Sequence, residues 1–178
     1  MEASSVWSNI FKHKHKENNS IFNVLRRVPI FKGLSVKELN AVERILHRRT
    51  YRKDEVIFHE DESGMGMYII ESGHVDILLG QDNKLLAQLT DGDFFGEMAL
   101  LLEQPRTATA IARSHLKMLG FFQPDLFSLL ETRPRTGNKI LQKLAQMLAE
   151  RLYKTNLENR QLKLKLTDLE SQIKEEMA

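Results

Sequence analysis

Apolar residues change their spacing twice along this chain, and each change predicts a different kind of element. Ile21, Val24, Leu25 and Val28 recur at three- and four-residue steps until Pro29, which predicts a helix stopped by a residue that lacks an amide. Ser35-Val36-Lys37-Glu38 reads as a capping box, the serine oxygen accepting from the amide three residues on and the glutamate reaching back. Leu39, Val42, Ile45 and Leu46 continue the apolar face of the helix it opens. Between Thr50 and Phe122 the period falls to two. Runs at Val56 to His59, Met67 to Ile70, Val75 to Leu79, Leu85 to Leu89, Thr107 to Ala112 and Leu116 to Phe121 predict strands. Ser63-Gly64, Ser72-Gly73, Asp82-Asn83 and Asp91-Gly92 supply the turns between them. Short strands at this spacing predict a small sandwich or barrel. Met98 to Leu102 favours a helical turn or two instead, and a short helix interrupting strands marks a ligand site.

Helical spacing returns at Gln123-Pro124-Asp125, with proline tolerated in the first turn and an acid at the positive end of the dipole. Arg133-Pro134 breaks that helix, and from about Asn138 onward there is neither proline nor glycine. Leu141, Ala145, Leu148, Leu152, Thr155, Asn159, Leu162, Leu166, Leu169 and Ile173 alternate steps of four and three, a heptad repeat. Asn159 then sits alone among apolar residues at an a position, where a buried amide fixes parallel two-stranded register. Glu158 faces Lys163 of a partner helix, and Lys165 faces Glu170. The alternative is one long helix folded back along its own domain. Past Leu157 about twenty residues remain, about 30 Å of helix, longer than a small barrel covers, so a parallel homodimer is the preferred reading.

Composition narrows the function by exclusion. The chain has 178 residues, a 42% hydrophobic share and a net charge of +2, enough for a packed core and no bulk argument for nucleic acid. It has no cysteine, so disulfides, thiolate metal sites and cysteine nucleophiles are ruled out. No apolar run is long enough to span a bilayer, no signal-peptide apolar region opens the chain, and a cytoplasmic protein is expected. Residues 1–20 are a polar arm with the run Lys12-His13-Lys14-His15-Lys16, and Trp7, Ile10 and Phe11 could form a short docking turn. His47, His59, His74 and His115 are scattered like those of the arm, and neither a metal cluster nor a nucleophile–base pair is expected, so the protein is read as a non-enzyme.

The chemistry concentrates in Phe95-Gly96-Glu97-Met98-Ala99 and in Pro105-Arg106-Thr107-Ala108-Thr109. A short helix opening near Glu97 offers unpaired amides to an anion, and Gly96 lets backbone approach closely. Arg106 adds a permanent charge whose fork matches phosphate oxygens, and Thr107 adds a hydroxyl. Glu97 cannot face an anion, so it is expected to accept from a sugar hydroxyl and to pair with Arg106 or another cation. Ala108 and Ala110 leave room. Each half alone is weak, since an arginine on a strand most often makes a surface ion pair worth little. Together the two halves suit a cyclic sugar phosphate.

These two segments resemble the phosphate-binding cassette of the cyclic nucleotide-binding domain family, which includes catabolite activators and kinase regulatory subunits. Ile30-Phe31-Lys32-Gly33-Leu34-Ser35, Met67 to Gly73 and Asp91 to Glu97 resemble the family's opening helix, central hairpin and approach to the cassette. The resemblance implies an α+β, mainly β fold: a jelly-roll-like eight-stranded barrel flanked by N-terminal helices and a long C-terminal dimerisation helix. It divides the chain into the arm 1–20, a cyclic nucleotide-binding domain over 21–135 and a coiled-coil helix over 136–178. It implies a ligand site of Phe95, Gly96, Glu97, Met98, Ala99, Arg106, Thr107 and Ala108. The long helix resembles the dimer helix of the catabolite activators, which places Thr155 and Asn156 against the base. Cyclic AMP is the expected ligand and cyclic GMP the alternative, with no metal. The implied function is a homodimeric sensor that signals to an unknown downstream protein by rearranging its C-terminal helices. Two alternatives stand beside it: the sensor half of a transcription regulator lacking its DNA-binding domain, and a degenerate assembly adaptor without ligand. DNA binding by this chain is not expected, because Asp168, Glu170, Glu175 and Glu176 make its end acidic.

Overall fold

The structure, a computed structural model, describes residues 21–176. The polar arm, with its histidine run and docking turn, lies outside the described residues. Helix α1 (21–27) ends before a short 3-10 turn, Pro29–Phe31. Helix α2 (Val36–Glu43) opens on the capping box, with the Glu38 amide on Ser35 Oγ at 3.3 Å and the Ser35 amide on the Glu38 carboxylate at 2.7 Å.

Eight strands follow: β1 (His47–Tyr51), β2 (Val56–Phe58), β3 (Gly66–Ser72), β4 (Val75–Leu79), β5 (Lys84–Leu89), β6 (Phe94–Phe95), β7 (Thr109–Ala112) and β8 (Leu116–Phe122). All pair antiparallel in two four-stranded sheets, ordered β1-β8-β3-β6 and β2-β7-β4-β5. The jelly-roll-like arrangement is as expected, but the sheets stay open and do not join into a closed barrel. Three strands depart from the sequence reading. β1 reads His-Arg-Arg-Thr-Tyr and is almost wholly exposed, because an edge strand needs no buried face and charges protect its free edge. β6 has only two residues, too few to show a period. β7 starts at Thr109, which leaves Arg106 and Thr107 in the connection ahead of it.

Two layers of core result. Ile70, Val75, Phe95, Ala110, Ala112, Leu116 and Met118 fill the space between the sheets. The other face of the β3–β8 sheet, through Met67, Ile69, Leu119 and Phe121, packs against Leu25, Phe31, Leu39, Leu126 and Leu144 from the helices. Alternation along β3 and β8 therefore sends apolar residues to both faces.

Helix α3 (Gln123–Thr132) begins with the Asp125 carboxylate accepting from the Phe122 amide at 3.0 Å. Helix α4 runs Pro134–Glu176 and so begins a few residues earlier than the sequence suggests. Proline starts it at a position where no amide is needed. Gly137 is tolerated because α3 crosses there: an added Cβ would lie 2.8 Å from the Leu130 Cα. Ile140 and Leu144 join the core, whereas residues 151–170 are all exposed, including Leu152, Leu162, Leu166 and Leu169. The helix does not fold back on its own domain.

Glu38 ties the start of α2 to α4 through Lys139, at 2.8 Å. The Lys139 hydrogen bond, followed by the Ser35 amide, lowers its pKa from 4.5 to about 2. A carboxyl depressed in the folded state stabilises it fully above pH 4.5 and loses that contribution as the pH falls toward 2. Glu38→Gln is therefore expected to flatten the pH dependence of urea unfolding in that window, with a reduced acid-induced shift of the midpoint as the readout.

Candidate functional site

The site is built around a buried cation. Arg106 is only 8% exposed, and its backbone is clamped before its side chain is considered. Its amide donates to the Glu62 carbonyl at 2.8 Å, and its carbonyl accepts from the Asp61 amide at 2.9 Å. Pro105 bridges Ser63 alongside. The turn after β2 thereby fixes where the guanidinium enters.

Aromatic rings then receive it. The guanidinium carbon lies 4.3 Å from the centre of the Phe58 ring and 5.9 Å from that of Tyr68. Phe58 comes from one sheet and Tyr68 from the other, and their rings stack with centroids 6.2 Å apart. Nη1 donates to the Gly96 carbonyl at 3.3 Å, and Nε is fully buried without a partner. No carboxylate among the described residues forms an ion pair with this arginine. Burial pushes the Arg106 pKa below an arginine's ordinary value, while Tyr68, Glu62 and Glu97 push it back. It remains charged near neutrality.

Glycines make the seat. A Cβ on Gly64 would lie 2.3 Å from Arg106 Nε, and one on Gly96 would lie 2.5 Å from Nη1. Gly96 also holds φ at +75°, the left-handed turn that lets β6 pass directly into the 3-10 turn Glu97–Leu100.

Glu97, 3% exposed, points its carboxylate to Arg151 of α4, which remains half exposed. The expected partner was Arg106 or another cation, and the structure selects the other cation. Sequence reasoning did not single out Arg151 for the site. Its signal was available: it stands one helical turn before Thr155 on the helix already assigned to the ligand.

Arg106 and Glu97 border one cavity of about 260 Å³. Phe95, Gly96, Met98, Ala99, Thr107 and Ala108 line it with them, so eight of the ten expected residues converge. Thr155 and Asn156 do not; both are exposed on α4 and absent from the cavity wall. Its remaining walls are mostly apolar, notably Phe58, Ile77, Ala87 and Leu89, with Gln104 and Arg151 as the polar members. A fixed cation and a carboxylate at the polar part of a mostly apolar hollow suit a small amphipathic anion bearing a hydroxyl. Among the described residues there is no group of three or more metal-ligating side chains, and no helix is long and apolar enough to cross a membrane.

Comparison with known proteins agrees with this geometry. Residues 48–133 match the family model of the cyclic nucleotide-binding domain, and the chain belongs to that family. It is 34% identical over 133 residues to a cyclic AMP receptor protein of Thermus thermophilus, across 73% of this chain and 60% of that protein. The crystal structure of the N-terminal domain of a transcriptional regulator from Streptomyces coelicolor superposes with a TM-score of 0.66 at 30% identity, covering 75% of this chain and 92% of that one. The Thermus thermophilus catabolite activator protein superposes with a TM-score of 0.68 at 32% identity, over 76% of this chain and 63% of that one. The chain thus spans only part of the length of the receptor it resembles.

Gly96→Ala should destabilise the fold by about 1–3 kcal/mol, since it combines left-handed strain with a collision against Arg106. Gly33 has a similar φ of +87° but open space around it, so Gly33→Ala should lose less. Urea unfolding of both variants checks the difference, which isolates the collision from the strain.

Proposed function

We propose that the protein is a cyclic nucleotide sensor whose cavity takes the cyclic phosphate on Arg106 and the sugar hydroxyl on Glu97. One observation carries this reading: a buried guanidinium with no carboxylate partner, facing a hollow of small-molecule size. Such a charge calls for an anion, and a phosphate diester supplies a single one. The first amides of the Glu97–Leu100 turn and the Thr107 hydroxyl add donors, and the apolar walls accept a purine. Cyclic AMP is the ligand favoured, supported by the similarity to the receptor of that name. A cytoplasmic location belongs to the same reading, and no catalytic step is assigned.

Signalling would run through α4. Glu97 ties that helix to the cavity through Arg151, so a sugar hydroxyl arriving at Glu97 competes with or reinforces the tie. Occupancy and helix position are therefore coupled by differential affinity for two arrangements. Thr155 and Asn156, exposed one turn beyond Arg151, would meet the base only in an arrangement that brings this part of a helix, this chain's or a partner's, over the cavity. The exposed leucines after residue 151 would pair in a parallel homodimer, with Asn159 setting register. A second reading, the sensor portion of a DNA-binding regulator, is favoured by the match to a regulator's N-terminal domain. In either case DNA contact is not assigned to residues of this chain.

Arg106→Ala should weaken cyclic AMP binding by roughly 100-fold or more while leaving self-association unchanged. Titration calorimetry with cyclic AMP and cyclic GMP measures it, and equal affinity in parent and variant would refute the assignment. Asn159→Leu should tighten self-association and admit other oligomers. Sedimentation equilibrium tests this, and a monomeric parent would remove the coiled-coil proposal.

A further inference from the structure

A second hollow, sharing no wall residue with the first, lies where the starts of α2 and α4 meet. Ser35, Lys37 and Glu38 border it from one side, and Arg133, Arg135, Thr136 and Lys139 from the other. Both helices begin here, so two positive dipole ends converge. The amides of Val36, Lys37 and Arg135 lie in first turns and lack an intrahelical carbonyl.

Thr136 is the independent observation. It is only 5% exposed, yet it borders the hollow, and its hydroxyl makes no hydrogen bond to any described residue. That hydroxyl is not sealed away, because Arg106 Nε is the sole fully buried, partnerless side-chain polar atom among the described residues. A buried threonine thus keeps an unused donor open to a cationic recess.

Charge completes the picture. Lys37, Arg133 and Arg135 form no ion pair with a described residue. Glu38 is the opposing charge, but its carboxylate is occupied by the Ser35 amide and by Lys139. Lys139 has three ammonium donors and uses one there, so it can bridge to a further anion.

We propose that this hollow binds a phosphate group, held by Arg133, Arg135 and Lys139 with the Thr136 hydroxyl as the specific donor. Several cations around one hydroxyl match a dianion with four oxygens better than a single carboxylate. The site would fasten α2 to the start of α4, and it does not depend on what fills the first cavity.

Amide NMR spectra of the full chain, titrated with inorganic phosphate against chloride at constant ionic strength, test this. Saturable shifts are expected at Val36, Lys37, Arg135 and Thr136. Affinity should fall roughly tenfold in the double variant Arg133→Ala, Arg135→Ala. It should fall roughly threefold or more in Thr136→Val and be retained in Thr136→Ser, which keeps the hydroxyl. Sedimentation with phosphatidylcholine vesicles containing phosphatidic acid separates the two sources of the group. Release from those vesicles by inorganic phosphate indicates a lipid headgroup at this site, and saturable titration without vesicle binding indicates a free phosphate. Shifts that rise without saturation, or equal affinity in parent, Thr136→Val and the double variant, would overturn the proposal.

Discussion

Much of this fold is arranged around one guanidinium that is taken out of water without being neutralised by a carboxylate. Burying a charge costs several kcal/mol unless something replaces its hydration. Here the replacements are an aromatic face 4.3 Å away, worth about 0.5–2 kcal/mol, and one peptide carbonyl. They draw on both sheets, since Phe58 belongs to β2 and Tyr68 to β3. The left-handed turn at Gly96, the bare backbone at Gly64 and the clamp from Asp61 and Glu62 all follow from seating this side chain. An incompletely satisfied cation is a liability for stability and an asset for binding an anion.

The second constraint is the helix that begins inside the domain and ends outside it. Ile140 and Leu144 are buried core residues, and a few turns later every residue from 151 to 170 is exposed. Glu97 and Arg151 join these two regimes at the edge of the cavity. The proposed signalling route runs through this contact, and the exposed leucines beyond it are the surface proposed for pairing. Lys139 and Glu38 hold the same helix near its origin, so α4 is fastened at its base and again beside the cavity.

Legibility varied from element to element for identifiable reasons. The capping box at Ser35, the hairpins around Ser72-Gly73 and Asp82-Asn83, and the short turn after Gly96 could be read because each depends on neighbours in sequence. The charged edge strand at His47–Tyr51 could not, because it buries no face and so shows no alternation. The helix start at Pro134 was obscured by Gly137, whose presence makes sense only once Leu130 is seen pressed against it. The cavity wall from Phe95 to Ala108 was legible because it lies in two short segments. The aromatic seat of Arg106 was not, because Phe58 and Tyr68 carry no motif.

By itself, then, the sequence determined the period of each element, its caps and turns, and the two segments that carry a cation, an acid and small residues. Those properties are local, set by backbone sterics and side-chain spacing within a few residues. Only the tertiary structure decided that Glu97 meets Arg151 and that Arg106 is left without a carboxylate. It also decided that Thr155 and Asn156 stand outside the cavity. Pairings between charges distant in sequence depend on how sheets and helices pack, and one-dimensional spacing does not encode that distance.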